Sequence, residues 1–226
     1  MSASILAFDA GFLRLLSAIE DPQPPDMRPD HPDVSVGDIR RLNPAGWRDL
    51  YTACRDDLFR YALSRLGNPE EAEDAVGDAL EEALKAAPRL EDRGLPPRAW
   101  LFGVIRNVVN RRRRLLFRSP PPLDLGALQP TADGGLPARL ELLDLARLLR
   151  RLPSSQAEVV LLRFVHGLSL DETAFVLGEK PGAVRARQGR ALRRLRLWLE
   201  DARPVARETL GASRLEGDVD ADLRQA

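Results

Sequence analysis

The segment from residue 119 to residue 137 constrains the fold of this chain more than any other feature, because it divides the sequence into two parts. It reads SPPPLDLGALQPTADGGLP and contains five prolines and three glycines. Proline lacks a backbone donor and clashes with the preceding turn of a helix, and glycine is entropically costly in a regular element. The segment excludes a continuous helix or strand, so we predict a flexible linker between two folded parts.

Short amphipathic helices are predicted on both sides of this linker. In the first part, apolar residues of 72–87 recur at the i, i+3, i+4, i+7 spacing of one buried helical face, after the start signal of Asn68 and Pro69. In the second part, Ser169 and Glu172 form a capping-box pattern ahead of another apolar run. The predicted fold class is all-α, with two small helical domains joined by the flexible linker.

The same patterns divide the 226 residues into five predicted segments. The beginning of the chain is rich in proline and aspartate, and the end lacks an apolar stripe, so neither is expected to form a packed core. The predicted segments are a partly disordered N-terminal extension at 1–44, a helical domain at 45–118, the linker at 119–137, a second helical domain at 138–200, and a disordered tail at 201–226.

Charge is distributed in blocks, although 34 basic and 34 acidic residues give a net charge of zero. Residues 68–84 contain seven acidic side chains and no basic one. Residues 93–123 contain eight arginines and no acid, and residues 180–199 contain seven basic side chains and no acid. Surfaces of opposite sign favour different partners, so we expect the chain to bind at least two kinds of molecule.

Composition argues against several classes of protein. The single cysteine, Cys54, has no partner for an internal disulfide, and the isolated histidines, His31 and His166, do not have zinc-ligand spacing. The apolar stretch at residues 4–19 is interrupted by charged side chains, which argues against a signal peptide and against a membrane span. We therefore expect a cytoplasmic protein without membrane insertion.

An enzyme is disfavoured, because the sequence contains no phosphate-cradling glycine loop and no nucleophile elbow. A divalent metal site is disfavoured as well. Asp74 and Asp78 have the i, i+4 spacing of two ligands on one helix, but no second helix offers a matching cluster of carboxylates or histidines. We predict no catalytic residue, no metal and no other cofactor.

A helix-turn-helix for DNA binding is predicted between residues 169 and 199, where a capped helix, a short turn and a long helix follow one another. The inward face of the long helix is Val184, Gln188, Ala191, Leu195 and Trp198. Its opposite face is rich in arginine, which binds guanine edges in the major groove and the flanking phosphates. The alternative is a solvated basic face on an ordinary amphipathic helix.

Three motifs resemble RNA polymerase sigma factors of the extracytoplasmic-function (ECF) type, within the sigma-70 family. LPSSQAEVVLLRFVHGLSLDETAFVLGEKPGAVRARQGRALRRL is similar to sigma domain 4. NPEEAEDAVGDALEEALKA and PRAWLFGVIRNVVNRRRR are similar to sigma domain 2. The resemblance implies that 45–118 binds core polymerase and the −10 promoter element, and that 138–200 binds the −35 element. Such a protein directs core RNA polymerase to specific promoters and promotes the initiation of transcription.

The resemblance also assigns residues to each partner. Those expected to bind core polymerase are Glu73, Asp74, Val76, Asp78 and Glu81. Those expected to bind the −10 element, beside a pocket walled by 90–97, are Arg98, Trp100, Arg106, Asn107, Asn110, Arg111, Arg112, Arg113 and Arg114. Those expected to bind the −35 element are Lys180, Gly182, Arg185, Ala186, Arg187, Gly189, Arg190 and Arg193.

Simpler interpretations stay open for two of these groups. The acidic helix has the pattern of an ordinary solvated face, and Trp100 has the size and polarity of a core residue. The chain also departs from the family pattern in the acidic helix at Gly77, Asp78 and Leu84. In the recognition helix it departs at Lys180, Ala183, Gln188 and Gly189, so the resemblance does not predict a promoter sequence.

The partners implied by the resemblance are core RNA polymerase, double-stranded promoter DNA and the melted non-template strand, with an anti-sigma factor as a possible further partner. A one-component helix-turn-helix transcription regulator, which acts without core polymerase, is the alternative. Such a regulator needs an effector pocket or a dimer face, whereas the first half of this chain offers acidic and basic surfaces.

Overall fold

A computed structural model describes residues 34–116 and 149–215, with side chains as far as Trp198. Every regular element within these residues is helical, which confirms the predicted all-α class. The elements are α1 (Val36–Arg40), α2 (Pro44–Leu66), α3 (Pro69–Ala86), a 3₁₀ turn (Ala87–Arg89), α4 (Pro97–Leu116), α5 (Ser154–Val160), a π-helical turn (Leu161–Val165), α6 (Leu170–Leu177) and α7 (Pro181–Leu215). The linker predicted at 119–137 lies outside the described residues.

The helix ends follow the local signals in the sequence. The side chain of Asn68 accepts hydrogen bonds from two backbone amides in the first turn of α3. Gly67 ends α2 in the left-handed region at φ 73°, where a residue with a Cβ would be strained. Ser169 and Glu172 form the complete capping box at the start of α6. The helix starts predicted at Asn68 and Ser169 are confirmed.

Helices α1 to α4 form an N-terminal bundle. The stripe of small residues on α3 lets α2 and α4 approach closely, and Leu58, Ala79 and Ile105 are fully buried between them. Leu84 is the exception to the predicted stripe, because 47% of its surface is exposed at the far end of α3.

The end of the predicted N-terminal extension is ordered as α1. Ile39 is fully buried, and its carbonyl accepts a hydrogen bond of 3.2 Å from Trp47 Nε1. Ser35 caps the helix by accepting from the Asp38 amide. The sequence did not predict this helix, because five residues are too few for an apolar period.

Helices α5 to α7 with the π-helical turn form a C-terminal bundle around Phe164, Val184 and Leu195. Helix α7 continues to Leu215, whereas the loss of the apolar stripe led us to expect an irregular tail from Asp201. The residues after Trp198 include alanine, arginine and glutamate, which favour helix, together with Pro204 and Gly211, which do not.

The two bundles pack against one another and share one continuous apolar core. Tyr61 and Phe102 of the N-terminal bundle surround His166 of the C-terminal bundle, with ring centroids 6.0 Å and 5.2 Å from it. All three side chains are buried. The sequence predicted two domains and gave no sign of this contact. Among the described helices, none is both long and apolar enough to span a membrane.

Candidate nucleic-acid and polymerase interfaces

Helix α7 presents the predicted basic face to solvent. Lys180, Gly182, Arg185, Ala186, Arg190 and Arg193 are exposed. Arg187 and Gly189 are partly buried, and Arg187 forms a 2.8 Å ion pair with Glu179 in the preceding turn. The opposite face is buried as predicted, from Val184 to Leu195. The arginines therefore project from a helix whose other side is anchored in the C-terminal bundle.

The anchor of α7 includes a buried polar pair. Gln188 Oε1 accepts a 3.1 Å hydrogen bond from Arg163 Nε in the π-helical turn. Arg163 also donates to the carbonyl of Leu168, and burial lowers the pKa of its guanidinium. The glutamine that departs from the apolar pattern of α7 thus has a partner, which the sequence alone did not identify.

Helix α3 presents the predicted acidic face. Glu73, Asp74 and Glu81 are exposed, and Asp78 is partly buried. Val76 is 7% exposed and belongs to the apolar core of the N-terminal bundle. The accessible part of this predicted polymerase-binding set is therefore its carboxylates.

Arg112 of α4 lies against this acidic face. Its Nη1 is 2.8 Å from Glu71 Oε2, and its Nη2 is 2.7 Å from Asp78 Oδ2. Asp74 is 3.8 Å away. Burial alone would lower the pKa of Arg112, but the hydrogen bonds that it donates to Asp78 and Glu71 raise it. Arg112 was predicted to bind DNA, and in this structure it neutralises part of the acidic helix.

A cavity of about 400 Å³ lies beside the loop at 90–97, where a pocket was predicted. The loop after the 3₁₀ turn forms one wall through Leu90, Arg93 and Leu95, and Trp100 forms another. Trp100 also makes an edge-on contact with Trp47, at 6.4 Å between centroids, so it takes part in both packing and the cavity wall. Val36 of α1 and Phe175 of α6 also line the cavity and were not predicted.

The other predicted −10 residues divide into exposed and inward-facing groups. Asn107, Arg111 and Arg114 are exposed, although Arg111 pairs with Glu82. The inward-facing ones are Asn110, which accepts from Arg65 at 3.2 Å, and two buried arginines, Arg98 and Arg113. Burial and the neighbouring charge of Arg65 lower the pKa of Arg113. This conformation therefore leaves only part of the predicted set available to a DNA strand.

Arg98 connects the two bundles. It donates to the carbonyl of His166, and its Nη2 is 3.3 Å from Asp57 Oδ2. Asp57 Oδ1 lies 3.6 Å from His166 Nδ1, which is too long for a strong hydrogen bond. Burial lowers the pKa of His166, and Arg98 and Arg60 act in the same direction. Burial alone would raise the pKa of Asp57, but His166, Arg98 and Arg60 lower it.

Glu158 of α5 forms the second polar connection. Its Oε1 accepts from Tyr61 Oη at 2.8 Å and from Arg106 Nε at 3.1 Å, and it is 3.9 Å from Arg65 Nη2. The carboxylate is 7% exposed. Arg106, another predicted −10 residue, is thus paired with the C-terminal bundle. Within the described part of the chain, no group of three or more potential ligands is placed to hold a metal ion.

Comparison with known proteins matches the two bundles to two parts of one family. Residues 50–116 match sigma-70 region 2, and residues 142–195 match sigma-70 region 4. The chain is 33% identical to the ECF RNA polymerase sigma factor SigD of Mycobacterium tuberculosis over 159 residues, which are 66% of this chain and 74% of SigD. The chain belongs to the ECF sigma factors. Proteins of this family are transcription initiation factors.

Two further comparisons agree with this family. ECF sigma factor BldN of Streptomyces coelicolor is 34% identical over 160 residues, which are 68% of this chain and 61% of BldN. The solved sigma factor RpoE of Bartonella quintana, in complex with the anti-sigma factor NepR, is 25% identical with a TM-score of 0.52. That likeness covers 68% of this chain and 96% of RpoE. In the present chain, helix α1 precedes the residues that match sigma-70 region 2.

Proposed function

We propose that this ECF sigma factor brings core RNA polymerase to promoters through two DNA contacts and one polymerase contact, each on a separate surface. The observation that carries the proposal is the exposed basic face of α7, which is anchored from behind by a buried face and presents arginines at the spacing of a major-groove helix. The factor itself is non-catalytic, and it acts in the cytoplasm, where polymerase supplies the chemistry.

The −35 element is assigned to α7. Arg185, Arg190 and Arg193 lie on its exposed side, where they can reach base edges and phosphates. Gly182 and Gly189 have no atoms within 4 Å of the position that a Cβ would occupy, so this face is open to a close approach by DNA.

Core polymerase is assigned to α3, whose exposed carboxylates offer a negatively charged surface to a basic partner. The melted −10 strand is assigned to the cavity beside Trp100 and to Asn107, because an apolar wall with a nearby amide suits an unstacked base. An anti-sigma factor is a further proposed partner, supported by the solved complex of RpoE with NepR.

The test is transcription from genomic DNA fragments by purified core polymerase with and without this protein. We expect start-site-specific transcripts only in its presence. Glu73→Lys should abolish the transcripts by reversing charge on the exposed side of α3, and Asp49→Lys, an equal charge change on the exposed side of α2, should not. DNA binding without polymerase, and no transcripts with it, would instead identify a one-component regulator.

A further inference from the structure

We propose that Glu179, in the turn before α7, is a positioning residue that weakens the sequence-independent part of DNA binding. It holds the guanidinium of Arg187 and thereby withholds Arg187 from the DNA phosphates. The inference rests on the proposed function, because it concerns the DNA contact assigned to α7. Arg187 then differs from the other arginines of the expected −35 set, since it lies beside the DNA without binding it.

Glu179 and Arg187 face one another with both ends of their planar groups. Arg187 Nη1 donates a hydrogen bond of 2.8 Å to Glu179 Oε1, and Arg187 Nη2 lies 2.8 Å from Glu179 Oε2. The side chain of Arg187 is 22% exposed and that of Glu179 is 28% exposed, and the Oε2 atom itself is buried. Water and salt screen a partly buried pair with two contacts less than they screen an ordinary surface pair. The pair is therefore expected to persist in solution.

The backbone places the Glu179 carboxylate at this position before DNA is present. Gly178 ends α6 in the left-handed region at φ 69°, and the amide of Glu179 donates a 2.9 Å hydrogen bond to the carbonyl of Ala174. This is the bond pattern of a Schellman motif, which fixes the residue after the glycine relative to the helix. Helix α7 is fixed as well, because Val184 on its inward face is fully buried. The pair thus joins two anchored elements.

The charge of the surrounding surface makes this pair unusual. Residues 173–198 contain seven basic side chains and a single acid, Glu179. Affinity for DNA of any sequence comes from cations that neutralise phosphates and release counterions. Arg187 paired with Glu179 has no net charge to offer, so the pair contributes nothing to this release.

Glu179 and a DNA phosphate compete for the same nitrogens of Arg187, because carboxylates and phosphates accept from a guanidinium with the same geometry. Phosphates are the same along every duplex, so a contact withheld from them weakens binding to promoter and non-promoter DNA alike. Arg185 and Arg190 are exposed and keep their access to DNA. Less of the free factor is then held on DNA of arbitrary sequence, and more is available to core polymerase.

The test uses the full-length protein and a fluorescein-labelled duplex of mixed sequence. Affinity is measured by fluorescence anisotropy over a range of salt concentrations, and the slope of log affinity against log salt concentration counts the neutralised phosphates. Glu179→Gln keeps the size of the side chain and removes the charge that holds Arg187. This variant should bind the duplex several-fold more tightly and steepen the slope by about 1, because Arg187 becomes available to a phosphate.

Three further variants separate the release of Arg187 from other effects. The double variant that combines Glu179→Gln with Arg187→Gln lacks the released cation, so its slope should return to the wild-type value. Asp171→Asn makes the same change of net charge at the opposite, exposed end of α6 and should keep the wild-type slope. Glu179→Ala should steepen the slope as Glu179→Gln does, and it replaces that variant if thermal unfolding shows that Glu179→Gln is not folded.

Equal slopes for the wild type and the variants at Glu179 would overturn the inference while leaving the proposed function intact. A steeper slope that persists in the double variant, or that Asp171→Asn reproduces, would also overturn it, because the effect would then be one of net charge. Absence of duplex binding in every variant, together with absence of transcripts in the presence of core polymerase, would overturn the proposed function itself.

Discussion

A buried amide and a buried guanidinium together set the position of α7. Gln188 and Arg163 are each 8% exposed, and the 3.1 Å bond between them ties the recognition helix to the π-helical turn. A buried guanidinium without an acceptor is strongly destabilising. Gln188 supplies an acceptor for Arg163, and Arg163 supplies a donor for the buried amide oxygen of Gln188. The pair thereby fixes the orientation in which α7 presents its arginines.

Replacement of Gln188 by leucine is expected to destabilise the protein, although leucine would match the apolar stripe of α7. The change leaves Arg163 Nε without its side-chain acceptor, at a cost of roughly 1–3 kcal/mol in the free energy of unfolding. Urea unfolding measures this cost. The double variant with Arg163→Met should recover much of the loss, and a stabilising Gln188→Leu would show that the pair is unimportant.

Two helices carry a glycine on an exposed or partly exposed side with free space above it. Gly77 in α3 and Gly189 in α7 have no atom within 4 Å of an added Cβ. A glycine inside a helix costs about 1 kcal/mol relative to alanine, so the free protein gains no stability from either one. The missing side chain leaves room at these positions for close approach of a partner.

Gly189→Ala should therefore separate stability from DNA binding. We expect the free energy of unfolding to rise by about 1 kcal/mol, from the helix preference of alanine. Affinity for promoter duplex should fall, because the methyl group projects from the DNA-binding face. Gly77→Ala is the matched control, with the same gain in stability and unchanged affinity for duplex. Unchanged DNA affinity in both variants would show that Gly189 does not lie against DNA.

The last turns of α4 contain four consecutive arginines, Arg111 to Arg114, which have different environments. Arg112 is bound by Glu71 and Asp78 and is 20% exposed, whereas Arg114 is exposed. Arg114→Gln should reduce the slope of log affinity for DNA against log salt concentration by about 1, because one phosphate contact is lost. Arg112→Gln should leave that slope unchanged and lower stability by about 1 kcal/mol. A reduced slope for Arg112→Gln would contradict this prediction and show that Arg112 contacts a DNA phosphate.

Local elements of the fold were predictable from the sequence, and the packing of the two bundles was not. Asn68, Gly67 and Ser169 act through bonds within a few residues, so their patterns indicate helix ends directly. Glu158 and His166 gave no such signal, because their partners lie far away along the chain. A single glutamate on a helix has the same pattern whether it faces water or a distant arginine. The sequence therefore predicted which residues belong to the candidate site. It did not predict that Arg106 and Arg98 bond to Glu158 and to the His166 carbonyl of the other bundle.

We expect His166 to make the contact between the bundles sensitive to pH. The side chain is 2% exposed, and the charged groups facing it are Asp57, Arg98 and Arg60. Burial between the bundles lowers the pKa of His166 below its ordinary value of about 6.5. Protonation therefore favours a state in which His166 is exposed. The contact between the bundles should be at full strength above about pH 6.5 and weaken as the pH falls below it.

Asp57 does not oppose this trend between about pH 6.5 and pH 5. Its pKa is lowered from 3.8, so its contribution is present above that value and is lost only in stronger acid. The contact between the bundles should lose up to about 1.4 kcal/mol of free energy per pH unit below pH 6.5, so the radius of gyration should increase as the pH is lowered from 7.5 to 5. His166→Phe keeps an aromatic ring between Tyr61 and Phe102 and should remove the dependence in this range. An identical pH profile in that variant would assign the effect to His31 or to the carboxylates.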